Sequence, residues 1–261
     1  MRALDTAATG MAAQDLKVQV IAGNIAIGTT GFKSQRAEFQ DLIYEHVQRI
    51  GAQASDNGNI LPVGIEIGSG VKTVGTPRLM TQGSFAQTGN TLDVAIQGSG
   101  WFKILMPDGT FSYTRDGSFQ MDNQGRIVTA EGNLVQPTIT IPPNSSGLTI
   151  NAQGQVSVTL PGSTTSSILG QLTLTTFIND AGLQGNGSNL FVATPASGNP
   201  QDGTPGLNGA GTLLQGSLEN SNVEAVTEIS NLISAQRAYE MNSKVISATD
   251  QMLQTTAQLM R

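Results

Sequence analysis

Three aspartates, Asp108, Asp116 and Asp122, fall on successive hairpin-like segments. They could supply the two carboxylates, held at a fixed separation, that glycoside hydrolysis demands. Asp108 and Asp116 each directly precede a Gly and Asp122 precedes Asn-Gln-Gly, so turn formation is their default use. His46, the single histidine, sits among Tyr44, Glu45 and Arg49 and reads as a solvated surface residue. GIEIGSGVKT at 64–73 has the glycines of a phosphate loop, but that loop needs Lys directly after its last Gly, and Val71 separates Gly70 from Lys72. GSGW at 98–101 has too few glycines for the dinucleotide fingerprint and precedes a strand-like run, which predicts a close approach of backbone segments instead. Trp101-Phe102 predicts a core anchor. No nucleophile, base and orienting residue can be assembled from this set, so no catalytic, cofactor-binding or metal-ligating residue is assigned, and no cofactor is expected.

Composition narrows the classes further. The 261 residues include 13 Lys+Arg against 19 Asp+Glu, a net charge of −6, with no basic run. Nucleic acid is therefore not an expected partner. The chain has no Cys, which removes thiol chemistry, thiolate metal sites and disulfides. No stretch approaches the ~18 apolar residues of a membrane span, and the first residues lack a cationic head followed by an apolar run. Membrane insertion and classical secretion are not expected. Ser, Thr, Asn and Gln number 88 against 32 charged residues. A surface wetted by amides and hydroxyls packs against copies of itself without desolvating charges.

The elements that must carry any site have three textures. At the N-terminus Leu4, Met11, Val18 and Ile25 recur every seven residues, widened by Ala8, Ile21 and Ala22, until Gly28 and Gly31 stop the pattern. At the C-terminus Leu232, Tyr239, Ile246, Leu253 and Met260 keep the same period beside Ala238, Val245, Met252 and Leu259, with Ala235, Asn242, Thr249 and Thr256 on that face. Both stripes predict amphipathic helices and a seam for a partner helix. Each alone would fit a helix lying on its own domain. Their shared period, and the further apolar Ile229, Ile233 and Met241, point instead to each other or to another subunit. Between them, turn glycines at 109, 117, 125 and 132 separate WFKIL, TFSYT, SFQM and RIVTA. Further runs follow at 134–141, 148–150, 155–160, 169–177 and 190–193, which predicts a compact antiparallel β domain. Phe39, Leu42, Ile43, Val47 and Ile50 lie at helical spacings, and 51–70 looks like an extended connection. The expected division is an N-terminal helix (1–31), a connecting region (32–70), a β-rich domain (71–215) and a C-terminal helix (216–261), in the α+β class.

IAGNIAIGTTGFKSQRAEFQDL (21–42) and LENSNVEAVTEISNLISAQRAYEMNSKVISATDQML (218–253) together resemble the two terminal hallmarks of the bacterial flagellar rod and hook axial proteins. The motif residues are Thr30, Gly31, Phe32 and Lys33 at one end and Gln236, Arg237, Ala238 and Tyr239 at the other. LPVGIEIGSGVK, GSFAQTGNTLDVAIQGSGWFKI, DGTFSYTRDGSFQMD and TPGLNGAG extend the resemblance over essentially the whole chain, toward the family's distal-rod branch. Gly23 and Ile27 depart from the Asn-rich stretch usual after the first helix, and Ile25 takes a Leu position.

The resemblance implies a non-enzymatic subunit, exported unfolded by the flagellar type III apparatus and polymerised helically in the periplasm. It implies terminal helices forming a coiled-coil inner tube and a β domain forming the outer wall. The implied partners are other copies of the chain, the proximal rod and hook proteins, and the P and L rings. A hook or proximal rod subunit, or a secreted enzyme acting on cell-wall glycan, are the alternative readings.

Overall fold

The computed structural model describes residues 2–48, 63–145, 147–161 and 166–259. It is α+β, with helix α1 at Arg2–Ala26, helix α2 at Ala225–Leu259, and short strands between them. Among the described residues no helix is long and apolar enough to cross a membrane. The chain divides into two compact units: Met1–Ala26, Gln35–Arg78 and Glu224–Arg261 in the first, Ile27–Ser34 and Leu79–Val223 in the second.

In the first unit, α1 packs along α2. The helices approach closely where side chains are small. Ala7, Ala13 and Ala235 are buried, and a methyl group on Gly10 would lie 2.9 Å from the Asn242 amide. The helical spacing read at residues 39–50 is overturned over its described part, because Glu38–Asp41 and Tyr44–Gln48 are strands. They pair antiparallel with Val71–Gly75 and Ile65–Gly68, with Glu38 opposite Gly75 and Tyr44 opposite Gly68. Leu42 N–H donates to Gly70 O at 2.8 Å, carrying the ladder across the gap between the two pairs. Spacings that fit one face of a helix gave way to long-range pairing, which local propensity does not encode. Residues 71–78, grouped with the β domain on sequence grounds, belong to this unit through that pairing. Ile50 and residues 51–62 lie outside the described residues.

The second unit is built of β-strands, with one short 3-10 turn at Asp180–Gly182 among its described residues. Its largest sheet has seven strands in the order Gln184–Gly187, Leu190–Val192, Phe111–Thr114, Phe102–Leu105, Leu134–Gln136, Ile127–Val128, Gln120–Met121. A three-stranded sheet of Gly147–Ile150, Gln155–Thr159 and Ser166–Gln171 adds to it. Val94, Ile96, Phe102, Ile104, Val135, Val156 and Leu174 form the core. Trp101 is buried, meets Phe191 edge-on at 4.9 Å and donates from Nε1 to Asp180 at 3.0 Å. The expected turns hold as well: Gly109 N–H donates to Met106 O and Gly125 N–H to Asp122 O.

Candidate functional site

Two constellations stand out, one in each unit. In the first, α2 uses only part of its apolar surface. Leu232, Ala238, Asn242, Ile246 and Thr249 are half-buried and flank the buried Ala235, at the spacings of a single seam. On α1, Leu4, Met11, Val18 and Ile25 are half-buried and Ile21 is buried. Tyr239, Val245, Met252 and Leu253 are exposed, as are Ile229, Ile233 and Met241, and Leu259 keeps 88% of its surface in water. Gln236 and Arg237 are exposed beside them; Met260 lies outside the described residues. Length explains part of this. α2 has 35 residues against 25 in α1, so about 15 Å of it extends beyond what one α1 can cover.

The second constellation is built on Thr30, Gly31, Phe32 and Lys33. Gly31 has φ +69°, and a methyl group there would meet Asp116 N at 2.8 Å, so both backbone conformation and space require glycine. Its N–H donates to Glu219 O at 2.9 Å. Thr30 O accepts from Asn189 Nδ2 at 3.0 Å, and Phe32 is buried. The Lys33 side chain is 1% exposed; its Nζ donates to Glu219 Oε1 at 2.6 Å and to Thr81 O at 2.8 Å. The other carboxylate oxygen, Glu219 Oε2, accepts from Arg115 Nε at 2.9 Å, and Gly83 N–H completes Oε1 at 3.0 Å. Arg115 spends its remaining donors on Gly100 O and Gly98 O, both at 3.0 Å, and on Ile96 O. Two cations thus surround one carboxylate that has no exposure at all. Burial lowers the Lys33 ammonium below its usual range, and the neighbouring Arg115 charge adds to that. Burial alone would raise the Glu219 carboxyl, but Arg115, Lys33 and the Gly83 N–H outweigh it and hold it below the ordinary value.

Comparison with known proteins assigns this architecture. The family model of the flagellar hook protein FlgE/F/G D1 domain matches residues 95–158, and that of the flagellar basal body rod FlgEFG protein C-terminal region matches 214–259. The flagellar basal-body rod protein FlgG of Caulobacter vibrioides is 54% identical over 260 residues, 99% of each chain. Its counterpart in Borreliella burgdorferi is 48% identical, over 97% of this chain and 96% of the relative, and that of Bacillus subtilis 37%, over the whole of both. The chain belongs to the flagellar basal-body rod protein family.

The family's proteins are named as rod components, not enzymes, and the three candidate aspartates of this rod-family chain are in local structural use. Asp108 accepts from Thr110, Asp116 from Ser118, and Asp122 from Gln124 and Arg126. His46 Nδ1 lies 3.1 Å from Glu66 on the exposed ladder. GIEIGSGVKT supplies one arm of that ladder, with none of the helix a phosphate loop opens. At GSGW a methyl group on Gly98 would lie 2.9 Å from Gly211 Cα, the close backbone approach that was expected.

Sequence reasoning found Lys33 through the motif but missed Arg115 and Glu219, which lie 104 residues apart. It also missed Asn24 and Asn222. Asn24 is buried and exchanges two hydrogen bonds with the Gln35 backbone, at 2.8 and 2.9 Å, as a strand neighbour would. Asn222 accepts from Ser34 N–H at 2.8 Å while donating to Leu79 O at 2.8 Å. The available signal was the scarcity of charge: with few ionic residues, one flanked by LENSN or YTRDG carries more than solvation.

Proposed function

We propose that this rod-family chain is a structural subunit of the flagellar distal rod, polymerising helically into a rigid shaft that transmits torque to the hook. The apolar positions left in water on α2 carry the reading. Tyr239, Val245, Met252, Leu253 and Leu259 are large side chains that a free subunit gains nothing by displaying. Neighbouring α1 and α2 helices would cover them in a coiled-coil inner tube, with the β unit as the outer wall. The subunit-interface set is then Leu4, Met11, Val18 and Ile25 with Leu232, Tyr239, Val245, Ile246, Met252, Leu253, Leu259 and Met260. The neutral polar surface suits close packing of copies. In this reading the chain is exported by the flagellar type III apparatus, assembles in the periplasm between the proximal rod and the hook, and turns inside the P and L rings. Electron microscopy of the purified protein at rising concentration is the direct test. Straight tubes are expected; a chain that stays monomeric, or forms curved polymers, would count against the distal rod.

A further inference from the structure

The strands of the second unit could bury their apolar faces without residue 219, since Thr212–Gln215 already pairs with Val94–Gln97 against the core. Charge prevents it. Arg115 lies inside, its guanidinium between the Gly98 and Gly100 carbonyls and 5.9 Å from the Trp101 ring, and Lys33 is 1% exposed. Carbonyl dipoles satisfy donors but carry no net charge, and a buried cation without a counter-ion is strongly destabilising. Glu219 answers both cations at once, and it is the last of the three in the chain. Its backbone is engaged as well: its carbonyl takes the Gly31 N–H, and Ser217–Glu219 pairs with Phe85–Gln87.

We propose that Glu219 is the closing latch of the β unit, so that native packing is unfavourable until the chain has supplied residue 219. The device is electrostatic. Residues up to 216 contain the hydrophobic core yet leave Arg115 and Lys33 uncompensated, and closure follows when Ser217–Glu219 adds its strand and its carboxylate together. Its use rests on the proposed function: a subunit exported as an unfolded chain would resist folding until Lys33, Arg115 and Glu219 had all passed. The latch itself is tested on the purified full-length chain, with no polymer involved, so that its failure and the failure of the rod reading are separable.

In the first test, Glu219→Gln should lower the melting temperature of the β unit by about 6–20 °C, the loss expected when one partner of a buried ion cluster is removed. The all-apolar triple variant Lys33→Met, Arg115→Met, Glu219→Leu should regain most of that loss, because no buried charge is left to be answered. A Glu219→Gln chain melting within 2 °C of the unaltered protein would overturn the proposal, and so would a triple variant no more stable than the single one. The second test is pulsed hydrogen exchange during refolding of the unaltered chain. The Gly31 and Gly83 amides, which donate to Glu219, should gain protection in the same phase as the Trp101 and Thr175 amides, which bond to each other's carbonyls. Earlier protection of Trp101 and Thr175 would show a core that closes without its latch.

Discussion

Leu253→Asp separates assembly from folding. In the free chain Leu253 keeps 45% of its surface in water. Burying a whole Leu side chain is worth about 1.5–3 kcal/mol, so covering this remainder in a neighbour contributes about 1 kcal/mol. An aspartate there loses that contribution and places a carboxylate in a helix contact. Its neighbours one turn away on α2 are Thr249, Asp250, Thr256 and Ala257, with no cation among them. Burying an unpaired charge costs several kcal/mol, so the total is about 3–5 kcal/mol per subunit contact. At about 1.4 kcal/mol per tenfold, the critical concentration for polymerisation should rise by roughly two to three and a half orders of magnitude. Pelleting and electron microscopy at a series of protein concentrations read this directly. The thermal transition of the β unit should not move, since Leu253 belongs to the other unit. Asp116→Asn is the control, because an amide oxygen accepts the same two bonds from Ser118 and should leave both readouts unchanged. Polymerisation of Leu253→Asp at the unaltered concentration would refute the assignment of this face to subunit contact.

Gly31→Ala should destabilise the β unit by about 1–2 kcal/mol through its left-handed backbone alone, and further through overlap with Asp116, read as a melting temperature lowered by several degrees. Acid should weaken the same unit in a defined window. Glu219 titrates near 4.5 when unfolded and lower when folded, so its stabilisation is present above 4.5 and is lost as pH falls through its lowered value. Urea midpoints between pH 7 and 2 should show this fall, and Glu219→Gln should lack that share of it. Amide exchange at 251–259, where every side chain of α2 is exposed, should be fast in the free chain and slow in the polymer, since a helix end without packing stands on propensity alone. Equal, strong protection in a verified monomer would contradict the assembly reading.

The parts of the fold legible in the sequence were those written locally. Asp108-Gly109 and Asp122 with its following glycine mark turns by their own side-chain chemistry, so the strands on either side fell close to where they were read. The helices were legible because a seven-residue recurrence survives in Leu4 to Ile25 and Leu232 to Leu253 whatever covers it. The ladder of 38–48 with 65–75 was not, because Phe39, Ile43 and Val47 satisfy two periods at once and only a distant partner strand chooses between them. The ionic cluster was least legible. Lys33 stood out through its motif alone, and with 104 residues between Arg115 and Glu219 and 186 between Lys33 and Glu219, no local pattern shows that the three meet.

The hydrogen bonds joining 31–34 to 219–222 also set how the β unit would carry load. Gly31 to Glu219, Lys33 to Glu219 and Ser34 to Asn222 lie within a few residues of two of the four points where the chain crosses the boundary of this unit, before 27 and after 223. A pull applied between those two points is met by these bonds together, before it reaches the seven-stranded sheet. The sheet is then a passenger, and the force passes through a short clasp of backbone, lysine and asparagine.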